Sequence, residues 1–136
     1  TLAIISRLVN YVFGIDNDRN LTQIANENIN NLNILNCSVF YKKNLSIGLE
    51  KSGPFDKIFI EGSVEKVPDN LLKQLKDNGE IFTVIKDKGD NSVGEFIRGL
   101  RVGSGISIEK FYRKFNKSTT NITTCCHRIY FTNSFW

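Results

Sequence analysis

Four short apolar runs, set between helical and turn-forming segments, constrain this chain more than any other feature. They are Tyr11-Val12-Phe13-Gly14-Ile15, Cys37-Ser38-Val39-Phe40-Tyr41, Lys57-Ile58-Phe59-Ile60 and Ile81-Phe82-Thr83-Val84-Ile85. Each has strand length and β-forming residue types, and the third and fourth are continuous enough for a strand buried on both faces. Between the first two, Leu21, Ile24, Ala25, Ile29 and Leu32 keep helical spacing, with Asn17 or Asp18 placed to cap that helix. Leu2, Ile5, Leu8 and Val9 suit one face of a helix already under way at the first residue. Lys42 to Gly53 reads as loop. Pro68 suits the first turn of a helix bearing Leu71, Leu72 and Leu75, which Asp77-Asn78-Gly79 should stop. The predicted order is helix, strand, helix, strand, strand, helix, strand: an α/β fold with parallel crossovers. Past about Ile106 the helical signal ends. Ile106 to Phe115 and Ile122 to Phe131 read as two strands, an antiparallel pair closing the sheet edge, while Val102-Gly103-Ser104-Gly105 reads as a turn.

A length of 136 residues, 40% of them hydrophobic, fits one domain. No run approaches the roughly 18 apolar residues of a membrane helix, so no membrane partner is expected. The chain has no methionine and opens on Thr1, so it has either lost its initiator or been cut from something longer. Cys37, Cys125 and Cys126 are an odd number, which favours free thiols in a reducing compartment and a cytoplasmic location. Cys125-Cys126-His127 is one cluster without a second half, and no metal site is expected. Residues 1–70 carry seven Lys/Arg against eight Asp/Glu, and residues 71–136 carry eleven against six. The excess gathers between Arg98 and Lys117, with Phe111, Tyr112 and Phe115 interleaved. That stretch could hold phosphates and stack bases, but a solvated basic face on an amphipathic strand accounts for it, and a nucleic-acid partner is not expected.

In α/β sheets ligands sit at the carboxyl ends of the strands. Asp16-Asn17, Lys43-Asn44 and Glu61-Gly62-Ser63 occupy such positions. An acid just past a strand can accept hydrogen bonds from ribose hydroxyls; equally, Asp16 could serve only to cap the helix that follows.

The stretch Gly53-Pro54-Phe55-Asp56-Lys57-Ile58-Phe59-Ile60-Glu61-Gly62-Ser63-Val64-Glu65-Lys66-Val67-Pro68, continuing through Leu71-Leu72-Lys73-Gln74-Leu75-Lys76-Asp77-Asn78-Gly79, resembles the protein-L-isoaspartate O-methyltransferase family. Its Glu-Gly-Ser-Val-Glu segment is similar to a bacterial subgroup. Upstream, Val12-Phe13-Gly14-Ile15-Asp16 resembles the family's strand ending in the ribose-binding acid, and the likeness spans about residues 1–86. The resemblance implies a Rossmann-like methyltransferase sheet, mostly parallel with a C-terminal antiparallel pair. It further implies S-adenosylmethionine as cofactor and isoaspartyl-containing proteins or peptides as substrate. A damaged L-isoaspartyl carboxylate would take the methyl group, the enzyme contributing alignment and desolvation.

Carried over by position, Asp16 matches the ribose-binding acid and Asn17 lies beside the adenine, with Glu61 at the third strand end. Where the family commonly has Gly-Asp-Gly, this chain has Lys42-Lys43-Asn44. Lys43 cannot accept a hydrogen bond from an adenine amino group, although Asn44 could substitute. The resemblance places the first strand, the glycine-rich turn and the catalytic residues upstream of Thr1. The expectation is thus one partial domain over 1–136, with a cofactor-binding part at 1–86 and C-terminal strands and loops at 87–136. By itself it should be inactive and marginally stable, or should fill the gap in mid-sheet by closing up or self-associating. The alternatives are a degenerate methyltransferase fold serving as a binding module, with Lys43 as its mark, or a methyltransferase acting on RNA or small molecules.

Overall fold

The computed structural model describes residues 1–86, 94–111 and 128–135. Helix α1 (Leu2–Ile5) leads into strand β1 (Val9–Asp16), then helix α2 (Arg19–Asn31) and strand β2 (Cys37–Tyr41). Two single 3-10 turns, Leu45–Ile47 and Glu50–Ser52, precede strand β3 (Phe55–Val64), helix α3 (Asp69–Lys73) and strand β4 (Leu75–Ile85). Strands β5 (Glu95–Val102), β6 (Gly105–Phe111) and β7 (Arg128–Phe135) complete the described chain. Of the two candidate caps for α2, Asp18 is the one used: its side chain accepts from the backbone N–H of Asn20 and Leu21, satisfying two of the helix's orphan donors.

The seven strands form one mixed sheet in the order β2-β1-β7-β3-β4-β5-β6. β1 with β2 and β3 with β4 are parallel, and the other four pairings are antiparallel. The gap expected between β1 and β3 is filled from within the chain, because β7 lies antiparallel to both. Two C-terminal strands exist, but they do not pair with each other. β6 forms a hairpin with β5, and β7 goes to the centre of the sheet. The physical reason is burial. Ile129 and Phe131 are almost fully buried, at 1% and 0% exposure, against 6% and 7% for Cys37 and Val39 on edge strand β2.

Alternation along the strands sorts the core into two layers. On one face Ile15, Ile58, Ile60, Ile81, Ile129 and Phe131 pack with Leu71 of α3 and with Leu45 and Leu49 from the loop after β2. On the other face Val12, Cys37, Val39 and Tyr130 pack with Ile29 of α2 and with Leu2 and Ile5 of α1, and Val9 at the start of β1 joins this cluster. Gly14 lets α1 lie close, since a Cβ there would stand 3.0 Å from Leu2 Cδ1.

Two local expectations change. Helix α3 ends at Lys73, and Leu75 is the buried first residue of β4, where it pairs with Phe55. Asp77-Asn78-Gly79 therefore lies inside a strand, at a register shift where Asn78 takes φ 62°. β5 was not foreseen as a strand. Within the basic stretch Arg98 is paired with Glu80 and Glu109, and Lys110 with Glu95, so part of its charge is neutralised on the sheet. Tyr112, Arg113, Lys114, Phe115 and Lys117 lie outside the described residues, as does Cys125-Cys126-His127. The Val102–Gly105 segment is the β5–β6 turn, with Gly103 at φ 58°.

Candidate functional site

At the carboxyl ends of β1, β2 and β3, cross-strand registry places four residues in a row: Tyr41, Asp16, Arg128 and Glu61. Directly opposed residues project to the same face, here the face that carries α1 and α2. Asp16 is 4% exposed. Its Oδ1 accepts the backbone N–H of Asp18 at 2.8 Å, and its Oδ2 accepts Arg128 Nε at 2.6 Å. The hydrogen bond to Asp16 is the main reason the Arg128 guanidinium holds its proton more tightly than usual. Two residues along β7, the Tyr130 hydroxyl donates to Glu61 Oε2 at 2.6 Å. Burial, then that hydrogen bond and the nearby Glu61 charge, raise the pKa of Tyr130 well above that of an ordinary tyrosine. Thr1 Oγ1 donates to the other Glu61 oxygen at 3.3 Å. On the β2 side, Arg19 lies over the Tyr41 ring at 4.0 Å, close enough for a cation–π contact.

This row borders a cavity of about 260 Å³ whose walls include Leu2, Leu21, Ile24 and Leu32, with Asp16, Arg128 and Tyr130 also lining it. It combines apolar walls with a few convergent polar groups, the usual make-up of a small-molecule pocket.

The five candidate residues fare differently. Asp16 and Glu61 are brought together across β7, with Arg128 between them in register. Asn17 is exposed just beyond β1. Asn44 caps the first 3-10 turn, accepting from the N–H and hydroxyl of Ser46, and this engages the oxygen that was to substitute in adenine recognition. Lys43 is exposed in the loop after β2, and neither it nor Asn44 lines the cavity. The even choice between a ribose acid and a helix cap has a third outcome. Asp18 caps α2, while Asp16 accepts the Asp18 N–H and pairs with Arg128. As arranged, each Asp16 oxygen holds one donor, the Asp18 N–H or Arg128 Nε, and the carboxylate is buried.

Arg128 and Tyr130 were not anticipated. The only signal was the alternation Arg128-Ile129-Tyr130-Phe131, which marks a strand with one polar face but not its neighbours. Among the described residues there is no cluster of three or more His, Cys, Asp or Glu able to hold a metal, and no helix is long and apolar enough to cross a membrane.

Residues 1–98 match the family described as protein-L-isoaspartate(D-aspartate) O-methyltransferase. A protein-L-isoaspartate O-methyltransferase of Jannaschia sp. (strain CCS1) is 32% identical over 108 residues, covering 79% of this chain and 47% of the relative. One from Aliivibrio fischeri (strain MJ11) is 31% identical over 101 residues, covering 74% and 46%. The chain thus spans about half the length of the curated relatives it matches. Among solved structures, a Plasmodium falciparum protein-L-isoaspartate O-methyltransferase in complex with S-adenosyl-L-homocysteine superposes with a TM-score of 0.61 at 22% identity, covering 75% of this chain and 49% of that one. A second structure of that enzyme name gives 0.67 at 21%, covering 79% and 34%. These likenesses show a Rossmann-like methyltransferase α/β fold. With the family matched across most of its length, this chain belongs to the protein-L-isoaspartate(D-aspartate) O-methyltransferase family.

Proposed function

We propose that this chain serves the repair reaction of its family, transfer of a methyl group from S-adenosylmethionine to the carboxylate of L-isoaspartyl residues in damaged proteins or peptides. The observation that carries the reading is Asp16, an acid at the carboxyl end of β1 beside the cavity, within the stretch matched to the family. In this reading Asp16 holds the ribose, Asn17 lies toward the adenine and Glu61 closes the third strand end, while Lys43 and Asn44 stand at the adenine-side loop. Residues 1–86 form the cofactor-binding part and 87–136 the C-terminal part. A cytoplasmic setting suits the buried free thiol of Cys37.

Calorimetry with S-adenosylhomocysteine, taken to millimolar ligand on a polypeptide that restores the family's first strand and glycine-rich turn ahead of Thr1, tests this. Asp16→Ala should weaken binding by about 1.5–3 kcal/mol, the range for hydrogen bonds to a charged group. Unchanged affinity would remove Asp16 from the site. Methylation of an isoaspartyl peptide by that restored polypeptide is the companion assay.

A second reading, a degenerate fold acting as a binding module, is favoured by the Asp16–Arg128 pair and by Lys43 in place of an acceptor. No measurable heat at millimolar S-adenosylhomocysteine with the restored polypeptide favours that module.

A further inference from the structure

We propose that Arg128 is an internal competitor for the Asp16 carboxylate, so that β7 holds the site closed and a ribose diol binds only when the guanidinium swings away. This rests on the assignment of Asp16 to a ribose. A carboxylate has about four lone-pair sites, so one arginine does not by itself exhaust it. Burial does the rest. The Asp16 side chain is 5% exposed, and its two oxygens face the Asp18 N–H and Arg128 Nε. A diol therefore has to take the place of one of these donors. The Asp18 N–H is fixed by the backbone that starts α2, whereas the Arg128 side chain is 40% exposed and has a way out to solvent.

The rest of the row agrees. Tyr130, on the same strand, ties up Glu61, so β7 engages both strand-end carboxylates at once. The cavity bordered by Asp16, Arg128 and Tyr130 has room beside apolar Leu21 and Ile24 for an uncharged ring system. Apparent affinity is then the intrinsic affinity reduced by the fraction of molecules with Arg128 displaced.

Adenosine is a suitable probe because it carries the diol without a charge of its own, and 2′,3′-dideoxyadenosine is its control. Arg128→Gln should bind adenosine at least tenfold more tightly than the unsubstituted chain and should discriminate against the dideoxy compound. In the unsubstituted chain, saturating adenosine should shift the Arg128 Nε–H resonance, which reports the hydrogen bond to Asp16 Oδ2, whereas 2′,3′-dideoxyadenosine should leave it in place. Equal adenosine affinity in the two chains, with diol preference intact, overturns the competition and leaves the ribose reading standing. Absence of diol preference in both overturns the ribose reading, and the competition with it. If Arg128→Gln does not fold by circular dichroism, the resonance on the unsubstituted chain decides, since an Arg128 Nε–H signal unmoved with adenosine bound overturns the proposal.

Discussion

Replacing Phe131 with alanine tests the least expected feature of the fold, the placement of β7 between β1 and β3. Phe131 is 0% exposed, and its ring lies 4.6 Å from that of Phe55, centroid to centroid. A phenylalanine buries roughly 150–250 Å², worth about 4–6 kcal/mol at ~25 cal/mol per Å². Alanine keeps the Cβ, worth about 0.8 kcal/mol, so the expected cost is about 3–5 kcal/mol, in line with core Phe→Ala substitutions. Against a total stability of about 5–15 kcal/mol, that is a large fraction. For a chain of this size the thermal midpoint should fall by about 10–20 °C. Urea unfolding followed by far-UV circular dichroism measures the cost directly. Ile108→Ala is the control, because Ile108 sits on edge strand β6 at 51% exposure and should cost less than about 1 kcal/mol. Equal costs for the two substitutions would refute a central β7.

Two further outcomes can be checked in the same way. Folding raises the pKa of Tyr130 above its unfolded value of about 10. The neutral phenol is thus favoured in the folded state, and that contribution is full below about pH 10 and lost as pH rises through the folded value. Tyr130→Phe should lower the midpoint at neutral pH by removing a donor to Glu61, worth about 1 kcal/mol, yet show a shallower decline between about pH 9 and 11. Gly99→Ala should destabilise by about 1–3 kcal/mol in urea, since its Cβ would collide with Ile106 and stand 2.8 Å from Ile81 Cγ2; a neutral effect would mean β5 does not lie against β4 as described.

The alternation of strand and helix up to Ile85 could be read because each signal is local. Apolar periodicity shows which face is buried, and Asp18 caps the nearest helix with its own side chain. The acid at the end of β1 could be read for the same reason. Leu75 misled because Leu71, Leu72 and Leu75 suit a helix face, yet pairing with Phe55 draws Leu75 into β4. The state of the site was not local at all. Asp16 and Arg128 are separated by 112 residues. Nothing within the strand Arg128–Phe135 says which strands will flank it.

The sequence by itself determined the α/β class, the family and the strand-end position of Asp16, all of which follow from patterns within a few tens of residues. Only the tertiary structure decided that β7 pairs with both β1 and β3, and that its Arg128 and Tyr130 meet Asp16 and Glu61. Pairing two central strands and burying Phe131 satisfies backbone groups and removes apolar surface, and that gain is a property of the assembled sheet.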